Sequence, residues 1–147
     1  MKQPGVIYRV INDVGLENVI DKGRYTPSGS VPLVNNENGV PSSGSFNYIS
    51  VLGILIHLSG HTSTDIAFAA NSCAIYMFFP KHFNGEALKR IGWYLKMTWD
   101  RGLILNTNRE LFNIDSYSDA YFSGMYGHEN PTDPTCVKSC TGYVITF

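Results

Sequence analysis

Asp115-Ser116-Tyr117-Ser118-Asp119 sets two carboxylates on one side of an extended segment. Acidic residues on strand ends hold Mg²⁺ for in-line phosphodiester chemistry, but the ion needs several converging oxygen ligands, and two carboxylates do not suffice. Read alone, Asp119 is a turn cap and Asp115 a solvated carboxylate. Lys81, Lys89, Arg90, Lys96 and Arg101 outweigh Glu86 and Asp100 in the next candidate segment, with Trp93, Tyr94 and Trp99 interleaved. Such a helix can track a nucleic-acid backbone through phosphate contacts. The same pattern describes a solvated helix face over an aromatic core. Cys136 and Cys140, with His128 upstream, look like part of a zinc site but lack a fourth ligand at a recognisable spacing, so Cys73, Cys136 and Cys140 read as ordinary small residues. His57, His61 and His82 have no Ser, Cys or Asp partner at a spacing that suggests a triad and read as surface or core-edge histidines. No glycine-rich phosphate loop is present.

The elements that must position these residues follow from hydrophobic period. Val6, Ile7, Val10, Ile11 and Val14 predict a short amphipathic helix over 4–14, with Pro4 in its first turn and Gly15 as its stop. Residues 16–45 are rich in Gly, Ser, Pro and Asn and keep no period. A structureless stretch of that length is uncommon inside one compact domain, so it marks a candidate boundary that would place the first helix in a separate packing unit. Three helical stripes come next. Tyr48, Val51, Leu52, Leu55 and Leu58 form the first; Ile66, Ala69, Ala70 and Cys73 form the second, with Thr64 as its N-cap; Ala87, Leu88, Ile91, Tyr94 and Leu95 form the third, from about Asn84 to Thr98. The period then shortens, predicting strands at Gly102–Leu105, Leu111–Tyr117 and Gly142–Phe147, with a loop over Gly124–Asp133.

Composition bounds the function. The chain has 147 residues, is 44% hydrophobic and 16% charged, and carries a formal charge of -1, which gives one core and excludes binding to nucleic acid through a global basic excess. Any basic surface must be local. Three cysteines and no secretory leader argue against a secreted disulfide scaffold and predict free thiols in an intracellular, cytoplasmic or nuclear protein. The longest apolar run, Val51–Leu58, is far below the ~20 residues a membrane helix needs, so no membrane partner is expected.

Several segments, in order, resemble one family. They are Gln3-Pro4-Gly5-Val6-Ile7; Asn47-Tyr48-Ile49-Ser50-Val51-Leu52-Gly53 leading into Leu58-Ser59-Gly60; Thr64-Asp65-Ile66-Ala67-Phe68-Ala69; and Ala87-Leu88-Lys89-Arg90-Ile91 with Tyr94-Leu95-Lys96. They continue in Gly102-Leu103-Ile104-Leu105, Tyr117-Ser118-Asp119-Ala120, and Val137-Lys138-Ser139 with Thr141-Gly142-Tyr143-Val144. Together they resemble the pol polyprotein of copia-type retrotransposons, from just past the polymerase active-site region into the start of the ribonuclease H domain.

The resemblance implies an α+β chain: a helical thumb-like bundle followed by a short antiparallel sheet, the truncated start of a ribonuclease H-like domain. It divides into 1–45, the end of the reverse transcriptase palm; 46–101, a thumb or connection region; and 102–147, the β-rich start of ribonuclease H. Lys89, Arg90 and Lys96 would then lie near the primer-template backbone, and Asp119 would be the first metal-binding aspartate of ribonuclease H, with Mg²⁺ as the cofactor of the parent enzyme. The partners would be an RNA/DNA hybrid or primer-template and the rest of the polyprotein. The paired polymerase aspartates and the further ribonuclease acids of the family are absent from this sequence, so the expectation is a chain without a bound cofactor and inactive alone. Ser63-Thr64, Met97, Tyr121 and Cys140 depart from the family pattern. They favour the alternative of a non-catalytic nucleic-acid- or partner-binding remnant of a decayed element.

Overall fold

The computed structural model describes residues 2–19, 24–34, 38–102, 104, 115–121, 132 and 140–146. Two compact units result, Met1–Ile104 and Leu105–Phe147.

The first unit is helical. Helix α1, Pro4–Asp13, buries Ile7, Val10 and Ile11 on one stripe. Gly15 ends it with φ +73°, a left-handed conformation that costs glycine nothing. Its N–H donates to Asn12 O at 2.9 Å while Leu16 N–H donates to Ile11 O at 2.9 Å, the paired bonds of a Schellman stop. Helix α2, Tyr48–His61, starts at Asn47, whose side chain accepts from Ser50 N–H at 3.0 Å. Helix α3, Ala67–Ala74, follows a 3₁₀ turn over Thr64–Ile66. Thr64 is therefore not the N-cap its position suggests: it sits inside the turn, Ser63 precedes it, and neither the turn nor α3 has a side-chain cap bond. Helix α4, His82–Met97, begins earlier than its apolar stripe predicts, because buried Asn84 reaches back and accepts from Lys81 N–H at 2.7 Å, closing the first turn.

Each apolar stripe faces a common core. Leu55, Leu58, Ile66, Leu88 and Ile91 are wholly inaccessible, and Val10 of α1 is among them in this respect. Helix α1 packs on α4 and α2, so the boundary expected after residue 15 does not separate it into its own packing unit. The reason lies in the loop between α1 and α2, which is fastened to the helices at several points. Ser42 N–H donates to Pro80 O at 3.0 Å, His82 N–H to Val40 O at 2.8 Å, and Tyr76 OH to Leu33 O at 2.8 Å.

The second unit contains β1, Asp115–Tyr121, and β2, Cys140–Thr146, paired antiparallel with Asp119 opposite Gly142 and Tyr117 opposite Val144. Helices followed by an antiparallel strand pair make the α+β arrangement the sequence predicts. The strand edges differ. β1 runs on to Tyr121 and β2 starts at Cys140, because cross-strand pairing, which the one-dimensional pattern does not record, sets both ends together. Gly102 and Ile104 are not in a strand, while Leu103, Leu105, residues 111–114, Phe147 and all of the 124–133 loop except Thr132 lie outside the described residues. Among the described residues no helix is long and apolar enough to cross a membrane.

Candidate nucleic-acid interface and the aspartate strand

An α-helix turns about 100° per residue, so Lys89 and Lys96, seven apart, share one stripe of α4 and Arg90 lies a step around it. The three cations have different surroundings. Lys89 Nζ pairs with Glu86 Oε1 at 3.0 Å, a partly exposed i,i+3 contact. Arg90 Nε donates to Thr26 O at 3.2 Å and one terminal nitrogen donates to Thr26 Oγ1 at 2.8 Å. An open cleft of about 640 Å³ is bordered there by Thr26, Ser28, Gly29, Ser30, Val31 and Arg90. A guanidinium has five N–H donors, so several of Arg90's stay available to an anion in that cleft.

Lys96 is held most firmly. Its ammonium donates to Leu16 O at 2.7 Å, Val19 O at 3.1 Å and Glu17 O at 3.2 Å, and stands 5.4 Å from the Trp93 ring centroid. Three donors meet three carbonyls, so the charge on which the phosphate reading leans serves the segment after α1. Gly92 makes this approach possible: a Cβ there would stand 3.1 Å from Leu16 Cδ1 and 3.2 Å from Val14 Cγ2. Arg101 lies past the helix end and is exposed.

Two polar ties inside the helical unit have no signature in the sequence. Tyr94 OH donates to Asp65 Oδ2, joining α4 to the 3₁₀ turn. Burial, then the Asp65 carboxylate, raises the Tyr94 hydroxyl above its ordinary range. Buried Tyr48 OH donates to Cys73 O at 2.9 Å, and burial raises the Tyr48 hydroxyl. Cys73 is a buried free thiol, pushed up by burial to about 11.

On β1, Asp115, Tyr117 and Asp119 share one face, since strand side chains alternate. Four residues of strand span about 13 Å, too far for Asp115 and Asp119 to share one ion. Gly142, opposite Asp119, offers no side-chain ligand. Among the described residues no three His, Cys, Asp or Glu side chains converge, so those present do not fit a Mg²⁺ centre. Cys140 lies in β2, whereas Cys136 and His128 lie outside the described residues. His57 and His61 are exposed on α2, and His82 opens α4.

The chain is similar to the retrovirus-related Pol polyproteins from transposons RE2 and RE1 of Arabidopsis thaliana. Each is 29% identical over 120 residues, or 82% of this chain. The matched region spans 8% of the length of either polyprotein. No protein-family model matches the chain, and no solved structure does.

Proposed function

With the chain read as a region of a copia-type retrotransposon Pol polyprotein, we propose that it serves the reverse transcriptase and ribonuclease H part of such a protein, its helical unit contacting the primer-template and its strand pair opening the ribonuclease H sheet. The observation that supports this is the likeness over 82% of the chain to two Pol polyproteins. Lys89 and Arg90 make the phosphate contacts. Lys96 contributes charge to that face but holds the loop after α1 with its donors. Asp119 supplies one acidic ligand of the ribonuclease H Mg²⁺ site, and its companions come from other parts of the polyprotein.

Two experiments test the reading. Affinity for a primer-template duplex should fall steeply with salt, and Lys89→Ala with Arg90→Ala should flatten the slope of log affinity against log salt by roughly one unit per lost phosphate contact. Binding that is absent or indifferent to salt sinks the contact assignment. The 147-residue chain, incubated with Mg²⁺ or Mn²⁺ and an RNA/DNA hybrid, should release no cleaved strand. Cleavage that disappears in Asp119→Asn would show that the catalytic acids are complete within this sequence. A second reading, a binding module without catalysis, draws on the described residues, among which no three His, Cys, Asp or Glu side chains form a metal-holding group. It predicts duplex binding that persists in Asp119→Asn.

A further inference from the structure

His57 and His61 stand one turn apart on the exposed face of α2. Their ring centroids are 4.2 Å apart and their planes are inclined by 31°. His61 Nδ1 lies 2.7 Å from the His57 carbonyl oxygen. A carbonyl can only accept, so Nδ1 is the donor of this contact, and in the neutral imidazole Nε2 is the nitrogen that offers a lone pair. Metal-ligating imidazoles are held in this way: one ring nitrogen donates to a backbone carbonyl, which fixes tautomer and ring orientation, and the other faces the ion. The His57 ring makes no hydrogen bond among the described residues and is free to turn a nitrogen toward the same point.

We propose that His57 and His61 form a two-histidine site for a divalent transition metal of the Zn²⁺ or Cu²⁺ class, with water completing the coordination. Two nitrogens at about 2.0–2.1 Å from a tetrahedral ion sit roughly 3.3 Å apart. The rings, tilted by 31° with centroids 4.2 Å apart, reach that arrangement when the His57 ring turns about its side-chain bonds while His61 keeps its backbone contact. The ligand chemistry selects against Mg²⁺, which takes oxygen donors, and favours ions that accept imidazole. Among the described residues no third His, Cys, Asp or Glu joins the pair, which makes the site open and exchangeable. This inference is independent of the Pol reading and concerns a different face and a different class of ion.

The test is calorimetric titration of the full chain with ZnCl₂, CuCl₂ and MgCl₂, in a Cys136→Ser, Cys140→Ser background that removes competing thiols. The expected result is one Zn²⁺ per chain, tighter Cu²⁺ binding in the Irving–Williams order, and no Mg²⁺ uptake. His57→Ala and His61→Ala should each weaken Zn²⁺ binding by about tenfold or more, on the scale of losing an orienting partner or greater. Both positions are exposed, so far-UV circular dichroism should stay unchanged and a loss of binding is not a loss of fold. Zn²⁺ affinity equal in the parent and in both histidine variants overturns the proposal. Zn²⁺ binding that vanishes in the Cys136→Ser, Cys140→Ser background overturns it too, by placing the metal at Cys136 and Cys140.

Discussion

Replacing Lys96 with Met keeps an unbranched apolar stem of similar length and deletes the ammonium. Three backbone carbonyls then lose their donor: Leu16 O at 2.7 Å, Val19 O at 3.1 Å and Glu17 O at 3.2 Å. Hydrogen bonds to a charged group contribute about 1.5–3 kcal/mol each when well shielded, and Leu16 O, the part-buried acceptor, falls at the low end of that range. The other two contacts are exposed and water takes over their acceptors, so each counts for well under ~1 kcal/mol. Loss of the ammonium from the Trp93 face, at 5.4 Å, adds about 0.5 kcal/mol. The total is about 2–3 kcal/mol, which for a cooperative unit of this size lowers Tm by roughly 10–20 °C. Urea unfolding followed by tryptophan fluorescence reads the change directly, because Trp93 lies beside the clamp. The expected result is a lower midpoint at an unchanged m-value, with Lys96→Arg falling between the parent and Lys96→Met. A Lys96→Met midpoint within about 0.5 kcal/mol of the parent's would refute the clamp and return Lys96 to the phosphate-contacting set.

The two glycine environments in the helices predict opposite responses. A Cβ at Gly53, in the middle of α2, meets nothing within 4 Å, so Gly53→Ala should stabilise by up to about 1 kcal/mol through helix propensity alone. Gly92→Ala gains the same propensity but crowds Leu16 and Val14, and thermal melts should place it about 1–2 kcal/mol below Gly53→Ala; equal melts would mean that the 16–19 segment gives way freely. Alkaline lability is a further expectation. Cys73, pushed up to about 11 from an ordinary 9, and Tyr48, also raised, both hold their protons more tightly folded than unfolded. The folded state thus binds more protons than the unfolded one once pH passes 9. Stability is fully present below that pH and falls as pH rises toward 11, by up to about 1.4 kcal/mol per pH unit for each group titrating. Urea midpoints across pH 8–11 check the slope, and a midpoint constant over that range would contradict the burial of both groups.

Local pattern determined the helices. The stripes ending in Leu58, Cys73 and Leu95 became buried faces because a helical period in the sequence is already a geometry, and Pro4 and Gly15 bracketed α1 because each restricts or frees its own backbone. The α+β order was equally legible, since the change of period after α4 is a local property. What the residues could not state was which distant backbone would meet which side chain. Lys96 reads as an exposed cation, yet its partners are the carbonyls of residues 16, 17 and 19, groups that every residue carries and no pattern marks. Arg90 meeting Thr26, and Tyr94 meeting Asp65, depend in the same way on the path of a loop without period. Asp115 and Asp119 show the converse. Their spacing in the sequence invites a shared ion, but an extended backbone holds them about 13 Å apart. The residue types and their order therefore carried the likeness to Pol polyproteins, and the tertiary structure decided which charges are free to act, because a charge's availability is set by the groups folded against it.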